Sequence, residues 1–389
     1  MRWQNLHLRG VGAALGEIMA VEDLESGRTL RGATSQRAVS IARDCTGMDL
    51  AVRASRHALA SMAMTTVGPL PVPDLHFHAA IWRGSRGIDF WSRAAYVRSR
   101  LGLPAGRGIA TELNAMSNSL VGGIDISARV LAGSPDLDTV LLTGGETFGP
   151  PAFDHLTADQ GIAYGDGGSA LILGRHSGLA RILATSSYTD PTLEQLHRGN
   201  HRFAPAGTTE LGIERIHERK RQYTDAVGTA SVRRRNCVGV RAVMDQALRD
   251  ADLTLGEISW FLLPHYGRHL LDTHCLDPLA ITADRTLCHA GDQWGHIGPN
   301  DQIVGLTHLF TRCVVTPGDY VALLGIGIGM TWTATILRVD NTEPEMRPYA
   351  PALRWPWRRN DVSRGAALTR ETNAVTPDPM PVPDQAENL

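Results

Sequence analysis

The feature that most restricts the fold of this chain is a plan that occurs twice. In each half a helical segment is followed by a buried strand with a polar tip, and then by a closing hairpin rich in glycine. The hairpins fall at residues 144–173 and 324–337. The two passages share the order of their elements and not their residues, which is the trace a duplicated half-fold leaves. Strand-like runs at residues 6–14, 75–82, 137–143, 169–174 and 259–264, and two more within 319–339, alternate with helical segments at 49–64, 238–248 and 302–310. That alternation predicts an α/β architecture. The helix at 49–64 sets Leu50, Ala54, Ala58 and Met62 along one side and Asp49, Arg53 and Arg56 along the other, an amphipathic pattern. The expected units are residues 1–176, residues 177–340, and an extension at 341–389 that is rich in Pro, Arg and Asn, lacks periodicity and reads as partly disordered. Residues 185–235 carry few apolar repeats and read as one long connection.

Composition removes several classes of function. A formal net charge of −2 offers no global attraction to nucleic acid or an anionic membrane. No apolar run approaches the roughly 20 residues of a membrane span, and the opening residues read as a first strand instead of a secretory signal. Cys45, Cys237, Cys275, Cys288 and Cys313 are odd in number and have no CxxC spacing. They point to a reduced, cytoplasmic setting and to no metal site. Lys220 is the only lysine.

Residues 109–130 hold the candidate working centre. An apolar-flanked run leads into the small-residue knot Asn114-Ala115-Met116-Ser117-Asn118-Ser119, and then into Leu120, Ile124, Ala128 and Leu131 at helical spacing. This is a strand, a tight corner and a buried helix, with Ser117 at the apex. Taken alone, Ser and Asn there are ordinary helix caps. The alternative is a nucleophile aimed at the first turn of the helix, whose free N–H groups favour a developing anion. A serine hydroxyl needs a base to take its proton and a third group to orient that base. His265, His296 and Asp301 stand, like Ser117, at strand tips or Gly-rich corners, and His296 with Asp301 meets the need. Set beside them, Ser117 reads as a nucleophile. The basic residues around 215–235, including Arg233, Arg234 and Arg235, are either a solvated helix face or a rim for an acidic partner or a phosphate-bearing arm.

Five motifs in order resemble the beta-ketoacyl-acyl carrier protein synthase III enzymes of the thiolase fold, over about residues 6–339. ELNAMSNS stands in the place of the family's cysteine elbow, YGDGGSALIL follows, LLPHYGR replaces the PHQAN histidine motif, WGHIGPNDQ replaces the HGNTS asparagine motif, and GIGIGMTW resembles the terminal GGGFTWG loop. The resemblance implies a five-layered αβαβα fold of two duplicated halves, and a homodimer with the aromatic run at residues 82–96 as a candidate interface. Ser117 takes the place of the family's cysteine, as in atypical starter-unit and acyltransfer members of antibiotic pathways. His265 falls on the catalytic histidine and His296 on the asparagine. Loss of that asparagine favours plain acyl transfer over decarboxylative condensation. The segment near residues 29–42 is shortened and has no tryptophan to stack on coenzyme A, which favours a donor bound to an acyl carrier protein, or a polyketide synthase carrier domain, through phosphopantetheine. No other cofactor is implied.

The expected reaction is ping-pong transfer in secondary metabolism through an acyl-Ser117 ester. His296 oriented by Asp301 acts as base, and the amides of Ser117 and of the Gly327 to Gly329 loop act as oxyanion donors. His265 assists thiol departure or holds the second substrate. Arg233, Arg234, Arg235 and Arg268 contact the carrier or its arm, and an amine, a hydroxyl or a carrier thiol is the acceptor. The alternatives are a starter-unit condensing enzyme and a non-catalytic partner of an active synthase. A serine hydrolase has no GxSxG elbow here to support it.

Overall fold

The computed structural model describes residues 1–24, 34–81, 91–150, 153–200 and 215–341. Trp82 and Phe90 of the aromatic run, part of the shortened segment, and the extension from residue 342 onward lie outside the described residues. The strands are β1 (His7–Leu15), β2 (Glu17–Ala20), β3 (Ala38–Ile41), β4 (Leu75–Ala79), β5 (Ala110–Leu113), β6 (Thr139–Glu146), β7 (Gly167–Gly174), β8 (Ala180–Thr189), β9 (Trp260–Leu262), β10 (Tyr320–Gly327) and β11 (Thr331–Val339). β2 and β3 form a separate antiparallel ribbon.

The other nine strands make one sheet in the order β5-β4-β6-β7-β1-β8-β11-β10-β9, and its topology carries the duplication. Reading outward from the centre, β1-β7-β6-β4 matches β8-β11-β10-β9. In both runs the first two neighbouring pairs are antiparallel and the third is parallel. Within the sheet the halves join through the short pairing of His7 with Arg181 and Leu8 with Ala180, and further backbone bonds such as Trp3 to Leu183 and His296 to Ala163 add to it. β5 adds a parallel edge strand to the first half alone.

The helices repeat in the same way. Gly47–Thr65, started by a capping box between Thr46 and Asp49, covers β1, β7 and β6. Thr229–Ala251 covers β8 and β11. The helices Ser119–Gly133 and Asp301–Thr311 are buried around much of their girth, as a middle layer must be. The first packs on β6, β8, β10 and β11 and the second on β1, β7 and β9, so each touches both halves. Leu120, Ile124, Leu131, Ile303, Leu306 and Phe310 from these helices share one apolar cluster with Leu142, Leu171, Leu323 and Leu337 from the strands.

Reciprocal glycines let the two middle helices approach the sheet. A Cβ on Gly325 of β10 would lie 2.1 Å from the Oδ1 of Asn118, at the start of the first helix. A Cβ on Gly144 of β6 would lie 2.4 Å from the Oδ1 of Asn300, at the start of the second. Each half thus supplies the glycine on which the other half's corner asparagine rests.

Among its described residues, the expected long connection at 185–235 holds regular elements. β8 runs through Thr189, the helix Ile216–Val227 stands within the region, and the helix expected at 238–248 begins at Thr229. The apolar pattern is faint because no residue of Ile216–Val227 is buried. β4 stops at Ala79 instead of reaching residue 82, and the N–H of Ile81 is taken by the Glu146 carboxylate. Among the described residues, no helix is long and apolar enough to cross a membrane.

Candidate active site

The corner that carries Ser117 is held by its neighbours. Ser119 Oγ accepts from the N–H of Ala115 at 2.8 Å and donates to the carbonyl of Met116 at 2.7 Å, closing a tight turn. Met116 adopts φ +52°, the left-handed region, which costs a non-glycine residue about 1–3 kcal/mol. Strain of that kind persists only where the surroundings over-determine the backbone. Neither Ser117 nor Asn118 caps the helix through its side chain, and Ser117 Oγ is turned across the interior to His296 Nε2 at 2.9 Å, a pair 179 residues apart in the chain.

His296 Nδ1 lies 2.6 Å from Asp301 Oδ2. The same carboxylate accepts from the N–H of His265 at 2.7 Å and from the N–H of Ile297 at 2.7 Å. Asp301 is the first residue of its helix, where unpaired N–H groups favour a negative charge. Burial by itself pushes the Asp301 carboxyl up, but the nearby His265 and His296 and these hydrogen bonds outweigh it and hold the group below the ordinary carboxylate value. An ionised carboxylate is acceptor-only, so the His296 Nδ1 atom carries a proton, and in the neutral ring Nε2 then presents its lone pair to the Ser117 hydroxyl. Sequence spacing places His296 and Asp301 on one corner. Only the packing of the two halves brings Ser117 to them.

His265 stands elsewhere. Its Nδ1 is 3.1 Å from the carbonyl of Gly295 and 3.3 Å from Asp301 Oδ1, and its ring packs beside Trp294. Burial lowers its pKa, partly opposed by Asp301. It lines a separate hollow of about 20 Å³ and not the cavity that Ser117 and His296 share. The structure therefore departs from the expectation of a substrate-facing His265, because the chain turns at Pro264 and directs the next side chain, Tyr266, into the cavity. Tyr164 and Tyr266 flank the His296 ring edge-on, with centroids 5.3 and 5.5 Å away. Burial pushes both phenols well above their ordinary value, so they stay neutral. Sequence reasoning passed over both as neighbours of the candidate base, although each stands inside a quoted motif.

The shared cavity measures about 690 Å³. Gly327 lines it beside Ser117, and Gly329 lies two residues further along, with φ +128°. An added Cβ at Gly327 would meet the Ala115 carbonyl at 2.1 Å, so the glycine is what lets this loop close on the corner. The helix Ile216–Val227 points His217, Lys220, Arg221 and Thr224 at the cavity, a polar stripe at helical spacing. Lys220 pairs there with the buried carboxylate of Asp159. Of the four arginines expected to meet a carrier, Arg233 lines the cavity. Arg234 is exposed, Arg235 pairs with Asp190, and Arg268 pairs with Asp272 away from the cavity.

Residues 248–339 match the family described as 3-Oxoacyl-[acyl-carrier-protein (ACP)] synthase III C terminal. The chain is 27% identical over 290 residues to the beta-ketoacyl-[acyl-carrier-protein] synthase III of Nostoc sp., covering 74% of this chain and 82% of that one. The corresponding Synechocystis sp. protein is 24% identical over 250 residues, 64% and 73% of the two chains. Among solved structures, the acyltransferase ChlB3 superposes with a TM-score of 0.77 at 26% identity, covering 88% of this chain and 99% of that one. The synthase III FabH of Pseudomonas aeruginosa superposes at 0.69 and 19%, covering 88% and 100%, a likeness of fold.

Proposed function

The chain belongs to the ketoacyl-acyl carrier protein synthase III-like enzymes of the thiolase fold, and from that premise we propose that it transfers an acyl group from a carrier-bound thioester through an ester on Ser117. The observation that carries the reading is the continuous path from Ser117 Oγ to His296 Nε2 and from His296 Nδ1 to Asp301, with 2.9 and 2.6 Å separations. His296 takes the serine proton as Oγ attacks the thioester carbonyl. Asp301 stabilises the imidazolium that forms, and the imidazolium returns the proton to the departing thiolate. The Ser117 N–H and the amides of the Gly327 to Gly329 loop are the proposed donors to the tetrahedral oxyanion, a contribution worth about 3 kcal/mol. An amine, hydroxyl or carrier thiol then attacks the ester, with His296 again as base.

His265 acts in this scheme by bracing Asp301 and not by touching substrate. Plain transfer is favoured over decarboxylative condensation because His296 Nε2 is engaged with Ser117 and His265 faces away from the cavity, so two histidine donors do not converge where an enolate would form. The polar stripe of the helix Ile216–Val227 and Arg233 suit the phosphate of a phosphopantetheine arm on an acyl carrier protein. Secondary metabolism, and a polyketide carrier in particular, is the proposed setting, and a homodimer the proposed assembly.

The test is intact-protein mass spectrometry after exposure to a panel of carrier-bound acyl thioesters. The wild-type protein gains one acyl mass and Ser117→Ala gains none. An adduct that persists in Ser117→Ala refutes the ester. Carbon dioxide released from a malonyl donor, with a carbon–carbon product, moves the assignment to condensation.

A further inference from the structure

A chain of hydrogen bonds leaves the nucleophile corner on the side away from His296 and ends on a second buried carboxylate. Asn118, next to Ser117, donates through Nδ2 to Thr331 Oγ1 at 3.1 Å and to Thr333 Oγ1 at 2.9 Å. Thr333 Oγ1 is 3.0 Å from Ser187 Oγ, and the two residues are directly paired across β11 and β8. Ser187 Oγ is 2.9 Å from Asp125 Oδ2, and Thr185 Oγ1 is 2.5 Å from Asp125 Oδ1. Asp125 lies on the helix that Ser117 introduces and is 5% exposed.

Counting protons gives the chain one direction. A carboxylate only accepts, so the single proton of Ser187 goes to Asp125. Ser187 oxygen is then the acceptor for the Thr333 proton, and Thr333 oxygen is left as an acceptor for Asn118. Asn118 must therefore present its NH2 group to the strands. Its Oδ1 is forced against Gly325, where it is buried without a hydrogen-bond partner. A buried unpaired carbonyl is costly, and it persists here because turning the amide over would set Oδ1 against the Thr333 oxygen, whose proton is already given to Ser187, and would leave Thr331 alone able to donate to it.

Resting on the acyl-Ser117 reading, we infer that Asp125, Ser187 and Thr333 are positioning residues for the nucleophile: they orient the Asn118 amide and so hold the left-handed turn at Met116 that aims Ser117 at His296. A carboxylate two helical turns from the serine sets its aim without touching substrate. Asp125→Asn removes the direction, because an amide both donates and accepts. Thr333→Val removes one acceptor with little change of shape, and Thr333→Ser keeps it.

The experiment measures the first-order rate constant for acyl-enzyme formation at saturating thioester, its KM, and the melting temperature, for wild type and these variants with Ser187→Ala. Thr333→Val, Ser187→Ala and Asp125→Asn lose roughly tenfold or more in rate with KM within about twofold, the size expected when a reacting atom is displaced by a fraction of an ångström. Thr333→Ser recovers to within about threefold of wild type. Pairs among the three losses are not additive, as one chain requires. Equal loss in Thr333→Ser and Thr333→Val, or wild-type rates in Thr333→Val, overturns the inference. Crystal structures of Thr333→Val and Thr333→Ser supply a readout without thioester: an altered Asn118 amide and a lengthened Ser117–His296 separation in the valine variant alone support the inference, and an unmoved corner overturns it. Acylation of wild type and its absence in Ser117→Ala judge the ester separately.

Discussion

Asp301→Asn is the perturbation on which the proposed chemistry turns. In the native protein three N–H groups converge on this carboxylate: Nδ1 of His296 and the backbone of His265 on Oδ2, and the backbone of Ile297 on Oδ1. An amide has one oxygen. If its NH2 group replaces Oδ2 it opposes two donors, and if it replaces Oδ1 it opposes one, so one or two buried bonds are lost at about 1–3 kcal/mol each. The second arrangement strains the Ile297 corner. The first is relieved when His296 moves its proton to Nε2, which leaves no lone pair for the Ser117 hydroxyl. Loss of the correct tautomer in a serine triad slows turnover about 10⁴-fold, equivalent to about 5.5 kcal/mol. Asp301→Asn should therefore reduce the rate constant for acyl-enzyme formation by about 10³- to 10⁴-fold, with a stability loss of about 1–6 kcal/mol in urea unfolding. Quenched mass spectrometry reads the rate, and chemical denaturation separates it from misfolding. Asp301→Asn that acylates within about tenfold of wild type refutes the assignment. So does an Asp301→Asn/His296→Ala double variant much slower than His296→Ala alone, since Asp301 is held to act only through that ring.

Three further outcomes follow from other parts of the molecule. His76 and His78 share Thr143 Oγ1 at 2.8 and 2.9 Å inside the first half-sheet, and burial lowers both rings from 6.5 to about 3. Because the folded pKa is depressed, the stability tied to the neutral rings is whole above about pH 6.5 and is lost as pH falls toward 3. Unfolding free energy should drop by about 2–3 kcal/mol per ring between pH 7 and about pH 4.5, and a flat profile there would contradict the burial argument. Gly325→Ala pushes a methyl group to 2.1 Å from Asn118 Oδ1 and 2.8 Å from Val121 Cβ. It should destabilise by about 1–3 kcal/mol and lower acylation sharply, whereas Gly106→Ala, with nothing within 4 Å, should melt and react like wild type. Arg233→Glu should raise KM for a carrier-bound donor about tenfold or more while leaving an unphosphorylated pantetheine thioester unaffected, and the KM ratio of the two donors is the check.

The duplicated order of elements, the strand-corner-helix at Ser117, and the five-residue step from His296 to Asp301 were all legible in the chain, because each is local. Periodicity reports which face of a segment is buried, and small residues report where the backbone must turn. Local pattern failed where burial was one-sided or absent: β8 ends in the exposed stretch Ser187, Tyr188 and Thr189, and Ile216–Val227 buries nothing, so neither left a periodic trace. Sequence also could not say which way a side chain leaves a tip. His265 and Tyr266 are neighbours in one motif, yet one braces Asp301 from behind and the other lines the cavity. Arg233 and Arg235 are two steps apart on a helix, and only the first looks inward.

What the amino-acid sequence determined by itself was a set of parts: two half-sheets, two buried helices, a serine corner, and a histidine with its carboxylate. The tertiary structure alone decided that they meet in one place. Ser117 meets His296 only because each middle helix lies on a glycine of the opposite half, Gly325 beneath Asn118 and Gly144 beneath Asn300. Which atoms come within 3 Å across 179 residues depends on the packing of whole layers, a sum over many contacts that no single stretch encodes.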